Sequence, residues 1–221
     1  MMRRSLVLAM VAFGALEVIA QPAGFDLARG DRFRGWTVAG SVASDAGPRI
    51  GVVRDRAIRM GSFYAERVQW AAGALAFSTA VDVPIAMMLP ANPASHVQCW
   101  WRISSGKEEC SFVSRPHDAV YAVGVTPLIA KLYVGADNRA RWFGSVGAGG
   151  VIFDRKTPVD EARAMNFAID FGVGVDVALR NGGTVASVAW RYQHWSNAET
   201  ARLNPGIDAN LLVMGLRYRR R

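Results

Sequence analysis

The chain has 221 residues, with 26 lysines and arginines against 18 aspartates and glutamates, so it carries a formal net charge of +8. This length fits one β-barrel or β-sandwich domain without a linker. The positive charge suits an anionic surface as partner, whereas the absence of a basic run interleaved with aromatic residues argues against nucleic acid.

The first twenty residues differ in kind from the rest of the chain. Arg3 and Arg4 precede an apolar stretch over residues 6–20, which ends in Val18-Ile19-Ala20. This order is typical of a secretory signal peptide, and the stretch is shorter than the roughly 20 apolar residues that a membrane-spanning helix needs. We therefore expect residues 1–20 to be a signal peptide and residues 21–221 to form the exported domain. An uncleaved anchor is the alternative.

Beyond Trp36, apolar and polar residues repeatedly alternate with a period of two, which predicts β-strands. The alternation is clearest over residues 165–177, where one face is apolar and the other is small and polar, with Asp170 and Asp176. In a soluble barrel the apolar face points inward, whereas in a transmembrane barrel it points to lipid. The signal peptide and the many arginines, which could neutralise interior carboxylates, favour the transmembrane barrel.

The same alternation predicts eight strands, an even number as bacterial outer-membrane barrels have. They cover residues 36–44, a stretch within 50–70, then 74–87, 120–133, 139–153, 165–179, 184–196 and 209–219. Short turns at residues 135–138 and 180–183 alternate with longer loops at 90–117, 154–164 and 197–208. Because such barrels have short periplasmic turns and long external loops, both chain ends are predicted to be periplasmic.

The two cysteines, Cys99 and Cys110, lie in the predicted external loop 90–117. In an exported protein, an even pair this close in sequence most simply forms a disulfide. His96 and His117 flank the pair, so the alternative is a zinc site made by all four residues. Their spacing does not match the C-x-x-C pattern of common zinc sites, and we therefore expect a disulfide.

A second constellation lies near the C-terminus, on the last predicted hairpin. His194 and Ser196 share one face of their strand because side chains alternate, and the parity of the next strand places Asp208 on the same lipid-facing side. Histidine could activate the serine hydroxyl as a base while the carboxylate holds the imidazole. Ionisable groups that face lipid are costly and therefore suggest a functional site. A hydrogen-bonding pair without a catalytic role is the alternative.

The C-terminal region also resembles a known family, the PagL-type outer-membrane lipid A 3-O-deacylases, which are often grouped as acyloxyacyl hydrolases. The resemblance rests on His194-Trp195-Ser196-Asn197-Ala198, Asn204 and Gly206-Ile207. It extends more loosely upstream through Asn166-Phe167 and Gly172-Val173-Gly174, so it covers the last sixty residues or so. It implies an eight-stranded barrel that hydrolyses the ester at the 3-position of lipid A with a serine, a histidine and a glutamate.

Carried over to this chain, the resemblance implies that His194 is the base, Ser196 the nucleophile and Asn197 a donor to the oxyanion. Asp208 stands where the family has a glutamate, and it is one methylene shorter. Glu199, in the loop after the serine, is therefore the alternative acid. No metal or cofactor is expected.

The resemblance further implies that the substrate is lipid A in the outer leaflet of a Gram-negative outer membrane. Arg191 or arginines of the external loops could attract its phosphates. A homodimer is an assembly that the resemblance leaves open. Two other functions remain as alternatives. One is a non-enzymatic structural or adhesive barrel, and the other is a soluble lipocalin-like barrel in which Phe167 and Ile169 line a ligand cavity.

Overall fold

The structure, a computed structural model, describes residues 26–42, 50–51, 57–89, 96–102, 105–113, 119–136, 139–158, 160–179 and 183–220. The predicted signal peptide lies outside these ranges. Within them the regular structure consists of ten strands: β1 (Arg32–Ser41), β2 (Arg59–Ala72), β3 (Leu75–Leu89), β4 (His96–Arg102), β5 (Lys107–Val113), β6 (Val120–Val134), β7 (Ala140–Thr157), β8 (Arg163–Ala178), β9 (Thr184–Ser196) and β10 (Ile207–Arg220). None of the described ranges contains a helix long and apolar enough to cross a membrane.

Eight of the strands form a closed antiparallel barrel in the order β1-β10-β9-β8-β7-β6-β3-β2. Strand β1 closes it, because it pairs with β2 on one side and with β10 on the other. Closure leaves no strand edge unpaired, which a barrel in lipid requires. The eight-stranded antiparallel barrel predicted from the sequence is therefore confirmed, and β2 overlaps the range 50–70 in which the second strand was predicted but ends two residues beyond it.

The remaining two strands, β4 and β5, form a hairpin outside the barrel, within the long loop predicted at 90–117. This hairpin was not predicted from the sequence. Cys99 lies directly opposite Cys110, and the two are joined by a disulfide, as predicted. Their sulfurs are bonded to each other and are therefore not available as zinc ligands. His117, the more distant member of the alternative zinc site, lies outside the described residues.

The outer surface of the barrel is apolar. On β8 the side chains of Phe167 and Ile169 point outward and are 46% and 41% exposed, while Asp170 and Asp176 are buried in the interior. The same pattern recurs around the barrel, where exposed apolar residues include Trp36, Val81, Leu132, Trp142, Val173, Met214 and Leu216. This is the arrangement of a transmembrane barrel. The lipocalin-like alternative, in which Phe167 and Ile169 line a cavity, is wrong.

The barrel interior holds a cluster of paired charges. The Arg217 guanidinium donates to the carboxylates of Glu66 and Asp176. Lys131 Nζ lies 3.3 Å from Asp176 Oδ2, and the Tyr133 hydroxyl donates to Glu66 Oε1 at 2.6 Å. Buried charges need such partners because they have lost their hydration. The prediction that arginines neutralise interior carboxylates is confirmed here.

Arg191 forms a separate interior pair. Its Nη1 lies 3.0 Å from Asp82 Oδ2, and little of its side chain is exposed. The expectation that Arg191 could bind a lipid A phosphate is therefore wrong, since the guanidinium points into the barrel. For the arginines of the external loops, this role stays a prediction.

Candidate active site

The site lies where β9 ends and β10 begins. His194 and Asp208 face each other directly across these two strands. Directly opposed residues of an antiparallel pair have Cβ atoms only about 4.5–5.5 Å apart, so a short carboxylate can reach its neighbour. His194 Nδ1 lies 2.7 Å from Asp208 Oδ1. The extra methylene of a glutamate is thus not needed for contact at this position.

Trp195 explains why its two neighbours point outward. Its side chain is fully buried in the barrel and packs edge-on against Phe153, with ring centroids 6.3 Å apart. Because side chains alternate along a strand, His194 and Ser196 project to the opposite, outer face. A large apolar residue between the two polar residues therefore anchors the strand and fixes the direction of both.

Ser196 is the last residue of β9 and lies opposite Phe167 of β8. It is partly exposed, on the same face as His194. Among the described residues, its hydroxyl makes no hydrogen bond to His194, so the structure places the two on one face without joining them. Hydrogen bonds between catalytic groups are often long without substrate and tighten when it binds.

Asn197 organises the loop that follows. Its Nδ2 donates to the Leu203 carbonyl at 2.7 Å, and its backbone N–H donates to Asn204 Oδ1 at 2.9 Å. The Thr200 hydroxyl donates to the Asn197 carbonyl at 2.7 Å. These bonds close the loop upon itself. If the Asn197 side-chain amide donates to an oxyanion, it must use its second Nδ2–H, because the first already donates to the Leu203 carbonyl.

The backbone directly after Asn197 has an uncommon conformation. Ala198 and Glu199 have φ values of 50° and 59°, in the left-handed region that non-glycine residues rarely adopt. Such conformations cost free energy and tend to occur at functional sites. Glu199 lies in this turn, and among the described residues Asp208 is the carboxylate that contacts His194. The geometry therefore favours Asp208 over Glu199 as the acid.

The outer face of the site is covered. Strand parity predicts that Tyr192, His194 and Asp208 face lipid, yet they are only 1%, 6% and 7% exposed. Part of the cover is a segment at residues 50–51, in the connection between β1 and β2, which we call the covering segment. Gly51 N–H donates to Asp208 Oδ2 at 2.8 Å. The expectation that these groups face lipid is therefore corrected, because they point outward but are buried beneath protein.

Gly206, two residues before Asp208, allows this close packing. Its φ is +62°, and a Cβ added there would lie 2.8 Å from His194 Cε1 and 3.2 Å from the Gly51 Cα. A side chain would therefore collide with both the imidazole and the covering segment. The Asn204-Pro205-Gly206 turn thus brings β9, β10 and the covering segment together.

Comparison with known proteins identifies the family. A family model described as lipid A 3-O-deacylase (PagL) matches residues 90–217, which include His194, Ser196 and Asp208. The chain belongs to the PagL family. The crystal structure of the outer membrane enzyme PagL is similar to this chain with a TM-score of 0.52 and 15% sequence identity, covering 82% of this chain and 97% of that one. At this identity the likeness supports the fold, and the family match supports an ester hydrolase.

Two other barrels are more distant from this PagL-family chain. Neisserial surface protein A has 10% identity and a TM-score of 0.45, covering 86% of this chain and 96% of its own. The outer membrane protein OprG from Pseudomonas aeruginosa has 10% identity and a TM-score of 0.45, covering 88% and 98%. At TM-scores this low, neither likeness supports a conclusion about function. No curated protein matches the sequence.

Proposed function

We propose that this chain is an outer-membrane lipid A 3-O-deacylase whose nucleophile is Ser196, whose base is His194 and whose acid is Asp208. The observation that carries the proposal is the buried 2.7 Å contact between His194 Nδ1 and Asp208 Oδ1, with Ser196 two residues after His194 on the same face of the strand. Family membership supports lipid A as the substrate, and this geometry supports the proposed chemistry.

The His194–Asp208 contact defines the role of each imidazole nitrogen. With Asp208 accepting from Nδ1–H, Nε2 is the nitrogen that can accept a proton. As Ser196 Oγ attacks the ester carbonyl carbon, Nε2 takes the hydroxyl proton, and Asp208 stabilises the resulting imidazolium. His194 then returns the proton to the departing 3-oxygen of lipid A, which leaves an acyl group on Ser196.

Water completes the reaction. His194 Nε2 takes a proton from a water molecule that attacks the acyl-serine carbonyl, and the serine oxygen leaves and recovers the proton. The products are the free fatty acid and lipid A with a 3-hydroxyl group. The oxyanion of each tetrahedral intermediate needs donors, for which we propose the second Nδ2–H of Asn197 and backbone N–H groups at the start of the loop.

The apolar surface next to the site suits an acyl chain. Ile169 is directly opposite His194 across β8 and β9, and Phe171 is opposite Tyr192. Both β8 side chains are exposed on the outer face. An acyl chain lying along them would place its ester at the covered, polar end of the strands. In the predicted orientation this end lies at the outer leaflet, where lipid A is found.

The test is the lipid A of cells that produce the protein. We expect mass spectrometry to show loss of the 3-linked acyl chain with the wild-type chain, and no loss with Ser196→Ala or His194→Ala. Ser145→Ala, which removes an interior hydroxyl bonded to the Gly172 carbonyl, is the matched control and should retain activity. Heat-modifiable migration should show a folded barrel in every case. Deacylation by Ser196→Ala would refute the nucleophile, and unaltered lipid A with the wild type would favour the non-enzymatic barrel.

A further inference from the structure

We propose that the backbone amide of Gly51 is a positioning group for the acid of this site, and that barrel closure delivers it. The inference rests on the proposed function, because it concerns how Asp208 is held against His194. Gly51 itself touches neither the substrate nor the reacting atoms in this proposal. It acts through the carboxylate.

The two oxygens of Asp208 have separate partners. Oδ1 contacts His194 Nδ1 at 2.7 Å, and Oδ2 accepts the Gly51 N–H at 2.8 Å in a buried hydrogen bond. A carboxylate held by one oxygen can rotate about its terminal torsion, which is broad, whereas bonds to both oxygens define its plane. The Gly51 amide therefore limits the directions from which Asp208 can approach the imidazole.

Steric space explains why this position is a glycine. A Cβ at Gly51 would lie 2.7 Å from Asp208 Oδ1 and 3.0 Å from the backbone carbon of Gly206. The Gly206 backbone in turn lies against His194, so it has no room to retreat. Gly40 and Gly61, near the same end of the barrel, would each accept a Cβ with nothing within 4 Å. Gly40 and Gly61 therefore do not share the steric requirement for a glycine that holds at Gly51.

The barrel topology brings Gly51 to the site. Gly51 and Asp208 are 157 residues apart in sequence. Strand β1 closes the barrel against β10, with Ser41 opposite Leu211, and Val42 N–H donates to the Asn210 carbonyl at 2.9 Å just beyond. The chain therefore leaves β1 beside the start of β10. The pairing that closes the barrel therefore starts the connection that carries Gly51 next to Asp208.

The first test compares two glycine substitutions. We expect Gly51→Ala to lower kcat for deacylation about tenfold or more, since a hydrogen bond to a charged group is lost, with KM unchanged. Gly40→Ala should retain full activity. In an Asp208→Ala background, Gly51→Ala should cause no further loss, because Gly51 acts only through that carboxylate. An unchanged kcat in Gly51→Ala, or a full additional loss in the double variant, would overturn the inference.

A second test does not depend on the fold of Gly51→Ala. In glycine-15N-labelled protein in micelles, the Gly51 amide should exchange with deuterium about tenfold or more faster in Asp208→Ala than in the wild type. Equal exchange rates would overturn the inference even if every variant is active. A wild-type protein that leaves lipid A unaltered refutes the proposed function instead, and the exchange measurement then still decides whether Gly51 holds Asp208.

Discussion

Replacing Asp208 with glutamate, the acid that the family resemblance implies, should impair this enzyme. In Asp208→Glu, the carboxylate lies one further C–C bond, about 1.5 Å, from the backbone. The aspartate already contacts His194 at 2.7 Å and Gly51 N–H at 2.8 Å, and both partners belong to packed backbone or buried side chains. The longer side chain can fit only if it adopts a strained rotamer or displaces the covering segment.

Overpacking by one methylene in a buried site costs about 1–3 kcal/mol. If this cost falls on the transition state, kcat/KM decreases by about 5- to 150-fold. The assay is release of the 3-linked acyl chain from lipid A by purified protein in micelles, with Asp154→Glu, an exposed carboxylate at the end of β7, as the matched control. Activity of Asp208→Glu equal to or above the wild type would refute the reasoning that direct strand pairing selects the shorter acid.

Three further predictions concern the acid, the interior and the hairpin. Asp208→Asn should lower kcat by several orders of magnitude, about 10⁴ in comparable triads, because the amide favours the wrong imidazole tautomer; retention of wild-type kcat would contradict this role. Arg217→Met should lower the free energy of unfolding by about 3–5 kcal/mol, measured by urea titration in micelles, since two buried carboxylates lose one of their cationic partners and keep only Lys131; an unchanged midpoint would refute the pairing argument. The double variant Cys99→Ser with Cys110→Ser should deacylate lipid A at the wild-type rate, because the hairpin lies outside the barrel, and a loss of kcat would place the hairpin in the catalytic machinery.

Strand number and strand facing were predictable because they depend on local alternation. Along β8 the apolar residues, including Phe167 and Ile169, point outward, and Asp170 and Asp176 point inward, as a period of two requires in a lipid-facing barrel. The same parity places His194 and Ser196 together on β9. The family resemblance then indicated which chemistry those residues serve.

The β4–β5 hairpin and the particular carboxylate that pairs with Arg191 were not predictable in this way. The hairpin is a separate two-stranded sheet that is not part of the barrel, so its short strands carry no alternation imposed by a lipid face and a polar interior. Arg191 has the inward parity of its strand, but its pairing with Asp82 joins residues 109 positions apart. Neither the β4–β5 pairing nor the Arg191–Asp82 ion pair leaves a local pattern in the sequence.

The sequence by itself therefore determined the barrel, the side of the wall on which His194, Ser196 and Asp208 lie, and the resemblance to the family. Only the tertiary structure decided that His194 and Asp208 are covered, that an aspartate at position 208 reaches the imidazole, and that the Gly51 N–H donates to it. The physical reason is that side-chain parity is local, whereas burial of an outward-facing site depends on which distant segment the closed barrel brings over it.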